Sequence, residues 1–151
     1  MYEKAVELNP NDEMVIGNLA DAYRSSGQNE KALATYDKAI ALAIKALQVN
    51  PRDSVTMGSL ALYYSKKGQS TQATEYIRRA RSIDAKNVGL LYIEATVHAQ
   101  AGRPDKAFAS LRDAFRNGYP AEEARNDPEL NSLHSLPEFE KLVREFSRKR
   151  Q

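Results

Sequence analysis

Cysteine is absent from the 151 residues, and no apolar run is longer than six residues. The first absence excludes disulfide bonds, thiolate metal sites and cysteine nucleophiles. The second excludes a membrane-spanning helix from this sequence, because about 20 consecutive apolar residues are needed to cross a bilayer. A chain without cysteine fits a reducing compartment, so we favour the cytoplasm; the periplasm is the alternative if a larger parent protein is membrane-anchored.

Residues suited to catalysis or metal binding are also scarce. The two histidines, His98 and His134, are far apart in the sequence, and no glycine-rich phosphate loop, nucleophile elbow or paired-carboxylate signature occurs. We therefore predict a non-catalytic protein without a metal or a cofactor. One polar pair, Glu94 and His98, lies one helical turn apart, and we expect a half-buried hydrogen bond that raises the pKa of the histidine.

What the chain does contain is an internal repeat. Three glycines each precede an alanine by five residues, and the last two are 34 residues apart. The spacings recur in three units: Leu19, Ala20, Tyr23, Gly27, Ala32, Tyr36 and Ala39; Leu60, Ala61, Tyr64, Gly68, Ala73, Ile77 and Ala80; Leu91, Ala95, His98, Gly102, Ala107, Leu111 and Ala114. Small residues let two helices approach closely while large ones fill the gaps, so each unit is predicted to be a helical hairpin.

These units resemble the tetratricopeptide repeat, in which two antiparallel helices recur every 34 residues. Pro10 and Pro51 match its terminal proline. The resemblance implies an all-α fold, a right-handed α-solenoid of antiparallel helix pairs closed by a C-terminal helical cap. It divides the chain into the second half of a truncated repeat (residues 1–10), three full repeats (11–51, 52–85 and 86–119) and a capping tail (120–151).

Local signals mark the ends of the helices. The first helix of each unit is predicted to begin after an N-cap and to end at a glycine in the left-handed conformation. The N-cap candidates are Asp12, Asp53 and Asn87, and the glycines are Gly27, Gly68 and Gly102. Pro104 fits the opening turn of a second helix.

The stretch YDKAIALAIKALQV, residues 36–49, nearly repeats itself after seven residues. Pro10 and Pro51 are 41 residues apart, seven more than the unit of 34, so we interpret the excess as an inserted heptad. Seven residues turn a helix almost twice, which keeps its apolar face in the same direction and lengthens it by about 10 Å. We predict one helix from about Asn29 to Val49.

The two ends of the chain differ from the repeats. Residues 1–10 match half a unit, so we expect the chain to be a fragment of a longer protein. The tail has helix starts at Asp127-Pro128 and at Ser135, and the apolar face of its last helix is expected to cover the final repeat. That face consists of Leu136, Phe139, Leu142, Val143 and Phe146. The terminal SRKRQ is interpreted as a solvated end.

The tail also resembles the ending of repeat regions in bacterial signalling proteins, such as serine/threonine kinases and transcription regulators. A regulatory region of a larger signalling enzyme is therefore an alternative function. A second alternative is a nucleic-acid-binding solenoid, because residues 51–119 carry eleven basic and six acidic groups. No aromatic residue interleaves with Arg78, Arg79 and Arg81, so we rank nucleic-acid binding below a solvated charged face.

In the family, the first helices line a concave groove that binds extended peptides or partner helices. The resemblance therefore implies a scaffold that binds a protein or a peptide. The corresponding positions in this chain are Met14, Asn18, Asp21, Val55, Ser59, Leu62, Tyr92, Ile93 and Thr96. Chaperone-binding members grip a C-terminal carboxylate with lysines, and two of those positions are occupied here by Gly17 and Gly58.

The C-terminal part of this groove is predicted to be its most apolar part. We expect Leu62, Tyr92 and Ile93 to be exposed there and to carry binding, with Gly58 and Gly89 allowing a ligand backbone to approach. The alternative is that a flanking segment of the parent protein fills the groove.

A homodimer through the N-terminal edge is a further expectation. The truncated first repeat leaves a helix without its partner, and the inserted heptad extends the next long helix beyond what a standard first helix covers. The residues expected to associate are Tyr2, Val6, Ile40, Ile44 and Leu47.

Overall fold

The computed structural model describes residues 1–148, which form helices and no strand. The α-helices are α1 (Tyr2–Leu8), α2 (Glu13–Ser25), α3 (Asn29–Val49), α4 (Ser54–Lys66), α5 (Ser70–Ile83), α6 (Val88–Gln100), α7 (Pro104–Arg116), α8 (Asn131–His134) and α9 (Pro137–Arg148). Two 3₁₀ helices, Ala121–Asn126 and Pro128–Leu130, lie between α7 and α8. The predicted all-α solenoid is confirmed, and the expectation for residues 149–151 lies outside the described residues.

Three hairpins form the body of the molecule: α2 pairs with α3, α4 with α5 and α6 with α7. The first helix of each hairpin begins at the predicted N-cap. The Asp12 carboxylate accepts hydrogen bonds from the backbone N–H of Met14 and Val15, at 3.0 and 3.3 Å. Asp53 and Asn87 each accept one from the residue three positions on, at 3.1 Å.

The turns inside the hairpins are also as predicted. Gly27, Gly68 and Gly102 have φ angles of 79°, 76° and 71°, a region that side chains with a Cβ rarely adopt. Pro104 occupies the first turn of α7. Local chemistry therefore accounts for where each hairpin begins and where it reverses.

Alanines allow the paired helices to approach closely. Ala20, Ala61 and Ala95 are fully buried, and large side chains such as Tyr36 and Leu60 fill the spaces between helices. At the C-terminal end, α9 buries Phe139, Leu142 and Val143 in the same apolar cluster as residues of α6 and α7. The tail thus covers the last repeat and closes the core there.

The inserted heptad lies within α3, which runs without a break from Asn29 to Val49. Its effect on the neighbouring unit is seen at two glycines. A Cβ on Gly58 would lie 2.6 Å from Leu90 of the next unit, whereas a Cβ on Gly17 would lie 2.5 to 2.7 Å from the phenol of Tyr63. Leu90 corresponds to Thr56 one unit earlier (90 − 34 = 56), and Tyr63 lies seven residues beyond Thr56.

The first helix of the second unit is therefore displaced along its axis relative to α2. The displacement is one heptad, about 10 Å, and equals the length added to α3. As a result α4 begins about two turns before the start of α2, and the C-terminal end of α2 extends past the end of α4. The units after this step, α4 and α6, return to the ordinary register.

The apolar surplus expected on α3 is smaller than predicted. Ile40 is only 7% exposed and belongs to a buried cluster with Ile16 and Leu60, so its expected exposure is wrong. Val6 and Leu47 are partly buried against the same cluster. The displaced α4 covers this part of α3, which the pattern of α3 itself could not reveal.

Candidate functional site: the concave groove

The first helices of the units, α2, α4 and α6, carry the predicted groove residues. Met14 and Val55 near the starts of α2 and α4 are each 56% exposed, and Asn18 is exposed as well. Asp21, Ser59, Leu62 and Ile93 are half-buried. These residues form an open part of the groove with both apolar and polar side chains.

The other end of the groove is not open. Tyr92 is 7% exposed and Thr96 is buried, so their expected exposure is wrong. The Tyr92 ring stacks on Tyr119 with 3.9 Å between ring centroids, and its hydroxyl donates a hydrogen bond to Asp127 Oδ2 at 2.7 Å. Burial is the main cause that raises the pKa of Tyr92, and Asp127 adds to it.

The groove at this end contains part of the chain itself, residues 127–130, here called the tail segment. Gln100 Nε2 on α6 donates a hydrogen bond to the backbone oxygen of Glu129 at 2.9 Å. Asp127 Oδ1 accepts one from the backbone N–H of Glu129, also at 2.9 Å, which shapes the 3₁₀ turn. Leu130 is fully buried beneath the segment. The expected alternative, a flanking segment in the groove, applies to this chain's own tail.

One ion pair connects the tail segment to the first full unit. Arg24 Nη1 on α2 lies 2.5 Å from Glu129 Oε1, although the two residues are 105 positions apart. The side chain of Arg24 is 35% exposed and that of Glu129 is 10% exposed. Arg24 reaches the tail because the heptad displacement carries the end of α2 past the end of α4.

A polar network continues from this ion pair into the groove. Lys66 Nζ lies 2.8 and 2.9 Å from the two carboxylate oxygens of Asp21, and the Tyr36 hydroxyl donates to the same carboxylate. Burial, reinforced by Asp21, raises the pKa of Tyr36. Beside the network is a cavity of about 420 Å³, lined by Asp21, Arg24, Ser25, Lys66, Asp127, Pro128 and Glu129.

The glycines of the groove serve packing between helices. The Tyr63 ring lies over Gly17, and its hydroxyl donates to both the backbone oxygen and the carboxylate of Glu13. Burial raises the pKa of Glu13, against the hydrogen bond from Tyr63, which lowers it. Leu90 covers Gly58, so the expectation that a ligand backbone approaches there is wrong. Gly89 is exposed.

Glu94 and His98 do not form the expected pair. Glu94 Oε2 accepts hydrogen bonds from Arg81 Nε at 3.3 Å and Ser110 Oγ at 3.2 Å. No hydrogen-bond partner for the buried Nδ1 of His98 lies among residues 1–148. Burial, with Arg103 second, lowers the pKa of His98 below its ordinary 6.5, which contradicts the predicted increase.

The basic residues of α5 are engaged within the chain. Arg78 Nη2 lies 2.7 Å from Glu75, Arg79 lies over the Tyr76 ring at 5.2 Å, and Arg81 pairs with Glu94. Each arginine therefore has a neighbour that satisfies or shields its charge.

Two searches of residues 1–148 gave negative results. They contain no group of three or more histidine or acidic side chains arranged to hold a metal ion. None of their helices has the length and apolar character needed to cross a membrane.

Comparison with known proteins gives a family match and two structural likenesses. Residues 13–86 match the family model described as Tetratricopeptide repeat. The crystal structure of MamA is 15% identical, with 99% of this chain and 86% of that chain covered and a TM-score of 0.59. The structure titled "YrrB: a TPR protein with an unusual peptide-binding site" is 20% identical, with coverage of 99% and 90% and a TM-score of 0.48. No curated protein sequence matches the chain.

Proposed function

Because the chain belongs to the tetratricopeptide repeat family, we propose that it is a non-catalytic module that binds a protein partner along its concave groove. Stacked helix pairs create an extended concave surface, which repeat proteins use for binding. The partner is an extended peptide or a helix that contacts α2 and α4.

The observation that carries this proposal is the tail segment in the groove. Arg24, Tyr92 and Gln100 hold it through two carboxylates and one backbone oxygen. The groove side chains are therefore suited to bind a short peptide by its backbone and its side chains together. Such mixed contacts are typical of peptide recognition.

The open part of the groove is the proposed position of the partner. Met14 and Val55 supply exposed apolar side chains, and Asn18 and Ser59 supply hydrogen-bonding groups. Apolar anchors with a few polar groups provide both affinity and orientation. Nucleic-acid binding is less well supported, because the arginines of α5 are engaged with neighbouring side chains.

Peptide selection followed by substitution tests the proposal. Peptides selected on the immobilised protein are expected to bind at least tenfold more weakly to Met14→Lys and Val55→Lys, because a charge replaces an apolar contact. Both side chains are largely exposed, so thermal stability should be unchanged. The matched control is Leu33→Lys, an equally apolar and exposed side chain on the second helix α3.

Equal loss of binding in Leu33→Lys, or no loss in the two groove variants, would contradict the proposed site. Selection that yields no binder from a diverse library would count against peptide binding itself.

A further inference from the structure

The tail segment meets the groove in the manner of a bound peptide. We propose that it is an exchangeable internal ligand, and that an acidic segment of a partner displaces the Glu129 carboxylate from Arg24. This inference rests on the proposed function, and it specifies a second subsite and the chemistry of its occupant. The subsite consists of Arg24 together with the cavity beside it, lined also by Asp21, Lys66 and Pro128.

The two ends of the tail segment are attached very differently. Leu130 and the following Leu133 are buried in the apolar cluster with α6, α7 and α9. Pro128 is exposed and borders the cavity, and Glu129 reaches α2 through a single carboxylate oxygen. Exchange therefore concerns residues 127–129, with Leu130 as the fixed point.

Electrostatics determine which kind of segment enters. Lys66 is already paired with Asp21, so Glu129 is the carboxylate that neutralises Arg24. When Glu129 withdraws, Arg24 remains half-buried without that carboxylate beside an open cavity, an unfavourable state. A carboxylate from another chain restores the pair.

The exchange is energetically accessible because the ion pair is partly solvated. Arg24 keeps about a third of its side chain in water, and such pairs contribute little net stability compared with buried ones. An incoming carboxylate also gains the hydrogen bond that the outgoing one loses. The competition therefore depends on the rest of the partner peptide, which the neighbouring open groove binds.

A labelled peptide with the sequence of residues 125–130, RNDPEL, tests the subsite directly by fluorescence anisotropy. We expect it to bind the Glu129→Ala protein at least tenfold more tightly than the wild-type protein, because Arg24 is then free. The matched protein control is Glu138→Ala, which removes an exposed carboxylate of α9 and should behave as wild type. The matched peptide control, RNDPQL, should not bind.

Arg24→Ala added to Glu129→Ala should abolish peptide binding. A charge-reversed protein, Arg24→Glu with Glu129→Lys, should re-form the contact and reject the peptide again. Unchanged thermal unfolding of each variant shows that the fold is kept, and faster amide exchange at Glu129 in Arg24→Ala provides a readout without any peptide.

Equal binding by wild type, Glu129→Ala and Glu138→Ala would overturn the proposal, as would binding that persists without Arg24 or an unchanged exchange rate at Glu129. Peptides selected for the Met14 and Val55 surface would still bind in each of these cases if the general function is correct. The two proposals can therefore fail separately.

Discussion

Gly17 and Tyr63 show how one side chain of a repeat depends on the unit that follows. The hydrogen of Gly17 leaves the space that the Tyr63 ring occupies, and the tyrosine hydroxyl then reaches Glu13. Both residues lie inside ordinary helices, so nothing near either one in sequence indicates the contact.

Gly17→Ala is expected to destabilise the fold by about 1–3 kcal/mol, because the new methyl group overlaps the Tyr63 ring. Urea unfolding followed by circular dichroism measures the change. In a Tyr63→Ala background the same substitution should be neutral or stabilising by up to about 1 kcal/mol, since alanine favours a helix over glycine. Additive effects in the two backgrounds would show that the overlap is absent.

His98 is expected to make the fold less stable in mild acid. Its folded pKa is lowered by burial and by Arg103 and Lys106, against the nearby Glu94, so the unfolded chain takes up a proton that the folded chain refuses. The free energy of unfolding should therefore fall as pH drops through about 6.5 and level off below the folded pKa. Denaturant unfolding of wild type and His98→Gln between pH 8 and pH 5 measures this.

An NMR titration of His98, assigned with a His134→Gln protein, gives the pKa itself. A value above that of an unstructured histidine peptide would contradict the expected direction.

Residue-scale prediction succeeded where the cause is local. An N-cap such as Asp12 bonds a backbone group two residues away, and Gly27 adopts a left-handed φ at the turn that it forms. It was wrong for Tyr92, whose partners Tyr119 and Asp127 belong to the tail, and for Glu94, whose partners lie on α5 and α7. Each of those contacts depends on how separate elements pack.

At the scale of elements, α3 is the clearest case of partial predictability. Its bounds follow from the seven-residue spacing, because a heptad preserves the direction of the apolar face. The displacement of α4 does not follow from that pattern, since it depends on where the chain re-enters the solenoid after the longer helix.

Deletion of residues 43–49 should restore the ordinary register without destroying the fold. The joined sequence YDKAIALNP matches the ending YEKAVELNP of the first repeat. Thr56 would then face Gly17 in place of Tyr63, and the lost packing should lower the melting temperature by about 10 °C with helical content retained. Circular dichroism measures both quantities.

Deletion of residues 43–47 is the control for the heptad. Five residues rotate the rest of the helix by about 140°, so this protein should lose cooperative unfolding. Equal stability of the two deletion proteins would contradict the register argument.

At the scale of the whole molecule, the tail has two roles, of which one was predicted. Its last helix was expected as a cap from the apolar face of Phe139, Leu142 and Val143. The tail segment in the groove was not, because Glu129 finds Arg24 only after three hairpins and the heptad displacement have set the distance between them. The contact is a property of the complete array.

Self-association through the N-terminal edge stays a prediction, now with fewer residues. Tyr2 and Ile44 remain exposed, whereas Ile40 is buried, so we expect a dimer only at high micromolar concentration. Light scattering on size-exclusion peaks measures the mass. Ile44→Lys should give a monomer and Leu33→Lys, at the far end of α3, should not; a monomeric wild type at that concentration would remove the hypothesis.

The glycine contacts between units also determine the order in which the units can follow one another. If residues 11–51 and 52–85 exchanged places, Val15 would meet Gly58 in place of Leu90, and Val97 would meet Gly17 in place of Tyr63. Both incoming side chains are smaller, so each junction would enclose a cavity. Units that align well are thus not interchangeable modules: each carries the address of its neighbour, and a shuffled array would keep its helices but lose the joints between them.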